Sequence, residues 1–377
     1  MDPACGANWA LEWISHRDVI GRVLPVRTPL VTLLSMKHAN SKAKALDPRW
    51  SLASGILLGA TLAALVVIAT AARAAEIPMS WKWEWSKTDF SKTSVDFSEI
   101  LSGGPPKDGI PSIDDPRFVP AAEVSNQDLA ETEPVVGVIV NGKARAYPLR
   151  ILTWHEIVND EFDGVPITVT YCPLCNSSIV FDRRLDGQVL DFGTTGKLRN
   201  SDMVMYDRQT ESWWQQFLGE GIVGELTGKR LKMLPSRLES FVKFKKRAPN
   251  GEVLIPTNPG MRDYGRNPYS GYDTASYPFL YRGETPDYIN PMVRVVVVGG
   301  KAWSMPMLAE KGKVVDGDLV LAWTAGQNSA LDTSRIREGR DVGNVTVQRA
   351  GNDVVHDVTF AFVYHAFHGN DKRVVTE

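Results

Sequence analysis

Cysteine is scarce in this chain, with three residues in 377. That excludes a disulfide-built scaffold, which needs many cysteines in a much shorter chain. A surplus of either charge is also missing. The 42 basic and 44 acidic side chains leave a net charge of −2, without the basic excess of a nucleic-acid-binding protein. The low hydrophobicity of a disordered chain is absent too, since 43% of residues are hydrophobic and can bury a core. Familiar catalytic motifs are incomplete. Asp191-Phe192-Gly193 has the letters of a kinase D-F-G without the loops that must accompany it. The run Gly193 to Lys197 lacks the spacing and hydroxyl residue of a P-loop, so no nucleotide motif stands here. His155-Glu156 has no second histidine four residues on, and no G-x-S-x-G elbow occurs.

What is present begins with a targeting signal. No charged residue falls between Ser51 and Ala72, the stretch Ile56 to Ala69 is apolar, and Lys37, Lys42, Lys44 and Arg49 precede it. Ala72-Arg73-Ala74 follows as an A-x-A site, which completes the order of a secretory signal peptide. About 20 apolar residues can also span a bilayer, so 51–72 is alternatively an uncleaved membrane anchor. Either way the body from Ala75 onward is expected outside the cytoplasm, periplasmic or secreted. Met36-Lys37 is an internal start candidate, which makes residues 1–35 a misassigned extension and 36–74 the signal. The body then keeps two of the three cysteines, Cys172 and Cys175, and becomes mildly acidic.

Trp81, Trp83 and Trp85 alternate with polar residues and are expected to share one face of an extended strand. With the Pro/Gly-rich stretch Ser102 to Pro116 they form an N-terminal strand and turn-rich arm, 75–116. Val135 to Leu149 reads as two strands joined at Asn141-Gly142, a strong hairpin signal. A helix is expected from Leu149 to about Asn159, strands over Ile167–Tyr171 and Ile179–Phe181, and a helix over Ser212–Leu218. The cysteines therefore fall on a turn between strands, in a first β-unit spanning 117–247.

A second β-unit, 293–377, repeats part of this plan. Val293 to Leu308 matches the first hairpin in its run, its Gly299-Gly300 turn and its following Lys-Ala. Thr324-Ala325-Gly326-Gln327 stands where the first copy has its thiols, and Asn328-Ser329 answers Asn176-Ser177. The reading is an internal duplication in which one copy keeps the cysteines. Between the copies, 248–292 carries seven prolines and six tyrosines. Tyrosines bury well and need ordered partners, so this Tyr/Pro-rich loop is expected as an ordered flap over a site, able to hold a small ligand.

The chemistry gathers at Cys172-Pro173-Leu174-Cys175. Haem attachment is excluded, because Asn176 rather than histidine follows. Three readings remain. A mononuclear metal site needs further ligands beyond the two thiolates, and the body offers His155, His356, His365 and His368. A thiol–disulfide enzyme fits an exported C-x-x-C, with Cys172 attacking and Cys175 resolving, although redox pairs open a helix and this one leads into a strand. A ligand-binding module with a structural disulfide is the third, weakened by a loop so short that closing it gains only ~2 kcal/mol. The preferred set is Cys172, Cys175, His155 and His368 around copper or zinc, with His356 set aside as structural. Arg199, Asn200, Asp202, Tyr206, Asp207 and Arg208 form a polar cluster, read as a salt-bridged turn or a site lining.

At these residues the sequence resembles a family of exported prokaryotic proteins, domain-of-unknown-function 3179. The matching stretches include Gly109-Ile110-Pro111, Tyr147-Pro148-Leu149, His155 to Asp160, Tyr171 to Ser177, Leu198 to Asp202, Met205 to Thr210, Tyr264 to Tyr269 and Ala366-Phe367-His368. The resemblance implies export and a shared site around the thiols; it supplies no reaction, and whether the protein is an enzyme stays open. Gly369 departs from the family's usual proline, and His365 looks peculiar to this chain, which favours His368 as the ligand. The fold expected is a β-rich α+β body of two related β-units.

Overall fold

The computed structural model describes residues 77–369 and 371–377; the signal segment, the Met36 start and Cys5 lie outside the described residues. Among those residues, strands form two five-stranded, two four-stranded, one three-stranded and one two-stranded sheet, with five short α-helices. This is the β-rich α+β class the sequence leads one to expect. No helix among the described residues is long and apolar enough to cross a membrane.

The chain enters as helix α1, Met79–Glu84, where a strand was expected. Alternating tryptophans fit a strand, but a helix brings i and i+4 together. Trp81 and Trp85 accordingly pack edge-on against Trp213, at 5.1 and 5.3 Å between ring centroids, while Trp83 is 81% exposed.

The first hairpin, β1 (Pro134–Val140) and β2 (Lys143–Pro148), turns at Asn141-Gly142 as expected. Both turn residues have positive φ, 51° and 81°, the geometry that matches strand twist and favours Asn-Gly. Helix α2, Leu149–His155, buries Leu149, Ile151 and Leu152. It ends at His155, earlier than expected, because Glu156 takes a positive φ and Ile157-Val158 are β-branched. Then follow β3 (Ile157–Phe162), β4 (Val165–Cys172) and β5 (Ser177–Asp182), an antiparallel meander with Ile157 opposite Thr170 and Cys172 opposite Ser177.

A second hairpin, β6 (Phe192–Arg199) and β7 (Asp202–Asp207), turns at Asn200-Ser201, both at positive φ. The next segment is β8 (Trp213–Gln215), paired to β7, where a helix over Ser212–Leu218 was expected. Both Trp213 and Trp214 are fully buried, and a short run apolar on both faces carries no period to tell strand from helix. Helix α3 spans Phe241–Arg247.

A short strand at Glu252–Ile255 runs parallel to β2. Beyond it lies a long segment whose only regular element is a 3-10 turn at Tyr272–Thr274, and then the order of the first unit recurs. β9 (Arg294–Val298) and β10 (Lys301–Ser304) turn at Gly299-Gly300, α4 covers Met305–Lys311, and β11 (Lys313–Asp316), β12 (Leu319–Thr324) and β13 (Asn344–Arg349) follow. The chain closes with β14 (Asp357–Phe360) against β9 and helix α5 (Ala361–His368). Val136, Leu152, Val169 and Val180 from the first series share one apolar core with Val296, Leu308, Leu321 and Val347 from the second.

Candidate functional site

The two cysteines sit where β4 turns into β5. Cys175 N–H donates to Cys172 O at 3.2 Å, Asn176 N–H to Pro173 O at 3.2 Å, and Asn176 at φ 52° redirects the chain into β5. The tight turn sets both sulfurs on the same neighbour. Both thiols are free and buried, and each donates to the carbonyl of Ser201, at 3.6 Å from Cys172 and 3.4 Å from Cys175. Ser201 lies in the β6–β7 turn, so the next residue, Asp202, arrives beside them.

One carboxylate oxygen of Asp202 and the two sulfurs all lie within 4.8 Å of one another. Oδ2 of Asp202 accepts from Gln215 Nε2 at 2.5 Å and from the Phe217 N–H at 2.9 Å. Oδ1 is buried and has no hydrogen-bond partner among the described residues. Burying an acceptor without a partner costs about 1–3 kcal/mol, more when it is charged, so this oxygen calls for an explanation.

The electrostatics are one-sided. Burial pushes the Cys172 thiol up, with Asp202 and Glu156 adding to it, and pushes Cys175 well up, reinforced by Cys172 and Asp202. Burial likewise raises Asp202 to about 6, against the pull of its donors Phe217 and Gln215. Glu156 rises to about 8, through burial first and Asp202 second. Asp357, buried and bonded by the Ser178 N–H at 3.0 Å, rises to about 7 by burial, with Asp202 contributing. The carboxyls and thiols at the centre disturb one another, and no lysine or arginine stands among the groups that disturb them most.

Residues from the tyrosine-rich segment contact the turns that carry this centre. Tyr272 donates its hydroxyl to Leu174 O at 2.9 Å, and Ser201 Oγ donates to Phe279 O at 2.5 Å. Tyr272 and Tyr281 pack in the same apolar cluster as both cysteines. The Tyr269 hydroxyl is raised well above its ordinary value by burial, with Glu156 and Cys172 next.

Of the residues singled out in the sequence, the structure brings Cys172 and Cys175 together and leaves the histidines apart. His155 Nδ1 faces Pro111 O at 2.7 Å and Nε2 faces the Tyr264 hydroxyl at 2.8 Å. A carbonyl only accepts, so Nδ1 carries the proton and Nε2 accepts from Tyr264, which leaves no lone pair for a metal. His368 packs on Tyr364 at 4.8 Å and beside Phe217 at 6.1 Å. Neither histidine belongs to the close donor group, and the third donor is Asp202. His356 Nδ1 pairs with Val354 O at 2.9 Å.

The polar cluster around Asp202 divides. Arg199 pairs with Glu99 and Arg208 with Asp114, Tyr206 donates to Asp108, and Asp207 accepts from Thr210 and Trp214. These tie the β6–β8 sheet to its surroundings. Asp202 is the carboxylate of this cluster that lies with the thiols. Glu156 was passed over in the sequence as half of a failed zincin motif.

A family model described as a protein of unknown function, DUF3179, matches residues 107–371. The chain belongs to this family. The DUF3179 match contains Glu156, Cys172, Cys175 and Asp202, and leaves α1 outside it. No curated protein and no solved structure matches the chain.

Proposed function

We propose that the protein binds a single soft or borderline metal ion, zinc or copper, at Cys172, Cys175 and Asp202. The observation that carries this reading is the close, fully buried group of two sulfurs and a carboxylate, one oxygen of which has no other partner. Thiolates select such ions, and a carboxylate completes a zinc or copper environment. A cation is also the partner that an all-acid buried centre lacks. Because the thiols must lose their protons to bind, affinity rises with pH.

The thiol–disulfide reading fits less well. An attacking cysteine needs a lowered pKa from a cation or a helix N-terminus; here the thiols are raised by burial and lead into a strand. A ligand module remains the third reading, with the tyrosine-rich segment as its cover. We further infer that residues 51–72 direct export, and that bound metal keeps the free thiols reduced outside the cytoplasm. Diverged duplication is our reading of the two series of elements. It is supported by their shared order and by one repeated hydrogen bond, Tyr171 N–H to Glu156 O and Trp323 N–H to Gly312 O, each 2.8 Å.

The test is metal analysis of the reduced full chain. About one zinc or copper per chain is expected, retained in His368→Ala and lost in Cys172→Ser and Asp202→Asn. A metal-free chain with a reducible Cys172–Cys175 disulfide refutes the reading in favour of redox chemistry.

A further inference from the structure

We propose that Glu156 is the fourth donor of this centre, and that the resulting set of two thiolates and two carboxylates selects zinc over copper(I). The inference rests on the metal reading above and narrows it to one ion.

One corner of the fold occurs twice. Helices α2 and α4 both end on a residue whose N–H bonds back into the helix, Glu156 to Leu152 O at 2.7 Å and Gly312 to Leu308 O at 2.8 Å. Both residues then accept the N–H near the end of the second strand that follows. Their backbones match closely, at φ 58°, ψ −33° for Glu156 and φ 66°, ψ −39° for Gly312. Glycine suits such a conformation, and any other residue there costs about 1–3 kcal/mol. The series without thiols has the glycine. The series with thiols holds a glutamate against that cost.

Position gives the glutamate its use. Its carbonyl accepts from Tyr171 N–H, which places it beside the residue before Cys172. The carboxyl is buried, and Asp202 is the charge that disturbs it. It stands outside the close group of three donors, with the Cys172 thiol among the groups that its charge disturbs. Independently, the unpartnered Oδ1 of Asp202 is a buried acceptor that a cation would satisfy. No imidazole belongs to the close donor group, and His155 has both nitrogens engaged elsewhere. Copper(I) is soft and gains from sulfur and imidazole, whereas zinc accepts sulfur and carboxylate oxygen in one tetrahedral shell.

The experiment compares zinc and copper(I) affinities of the reduced full chain, by competition with chromophoric chelators without oxygen, in the wild type, Glu156→Gln, Glu156→Gly and Cys172→Ser. Zinc affinity falls at least about tenfold in both Glu156 variants, while copper(I) affinity changes less than about twofold. Glu156→Gly also melts no lower than wild type in chelator, because glycine fits the corner, so its loss of zinc is not a loss of fold. Zinc binding that needs Cys172 but ignores Glu156 overturns this inference alone, as does an equal loss of both metals. Uptake of neither ion by the wild type overturns the metal reading and this inference with it.

Discussion

In the metal-free protein, replacing Glu156 by glutamine should change how stability depends on pH. Burial holds this carboxyl at about 8 in the folded chain, against an ordinary value of 4.5. The sign follows from which state holds the proton. Below pH 4.5 both states are protonated and the group has no effect. As pH rises toward 8 the unfolded chain ionises while the folded chain stays protonated, so stability falls; above 8 the loss levels off. At about 1.4 kcal/mol per pH unit, the penalty is under about 1 kcal/mol at pH 5, about 3 at pH 7 and on the order of 5 by pH 9. Asp202, raised to about 6, acts in the same direction over a narrower window. The glutamine side chain is a neutral isostere of glutamate, so the gain of Glu156→Gln over wild type should grow along that curve. Urea unfolding followed by tryptophan fluorescence, with chelator and reductant at pH 5, 7 and 9, measures it. Parallel pH profiles for the two proteins would refute the reasoning, because they would mean that the Glu156 carboxyl ionises as it does in the unfolded chain.

Three further outcomes follow from the packing. His155→Ala should leave metal uptake unchanged yet cost about 1–3 kcal/mol in urea unfolding, since it strands Pro111 O and the Tyr264 hydroxyl. Trp213→Ala removes the surface on which Trp81 and Trp85 rest and should cost about 3–5 kcal/mol. Trp83→Ala at the exposed side of the same helix should stay within about 0.5 kcal/mol, both read by thermal melting.

The elements that were legible in the sequence are those whose cause is local. Asn141-Gly142 and Gly299-Gly300 dictate their hairpins, because both turn residues need positive φ and the sequence supplies residues that take it. The turn between β4 and β5 was readable for the same reason, with β-branched runs on either side of the cysteines. The failures come where burial on all sides erases the pattern. Trp81 and Trp85 look like a strand face until Trp213, more than a hundred residues later, supplies the surface that makes the helical spacing count. Trp213 and Trp214 look helical until one sees that both strand faces are covered.

The site divides along the same line. The thiol pair lies within four residues and was visible. Asp202 reaches it from a hairpin turn, and Glu156 lies at a helix end, its carbonyl paired with the residue before Cys172. His155, one of the two histidines that the sequence favoured, is engaged by partners 44 and 109 residues away. Yet Asp202, which the sequence placed in a polar cluster, and Glu156, which it passed over, share a property that argues for their role. At each position a less costly residue exists for a purely structural purpose: glycine at 156, as at Gly312, and asparagine at 202, which would keep an acceptor for Gln215 and Phe217 while carrying no charge. A fold shaped by stability alone would take both substitutions. Holding two buried acids beside two buried thiols makes sense when a cation offsets all four, and the penalty that rises with pH in the metal-free chain is then matched by an affinity that rises with pH as the donors release their protons.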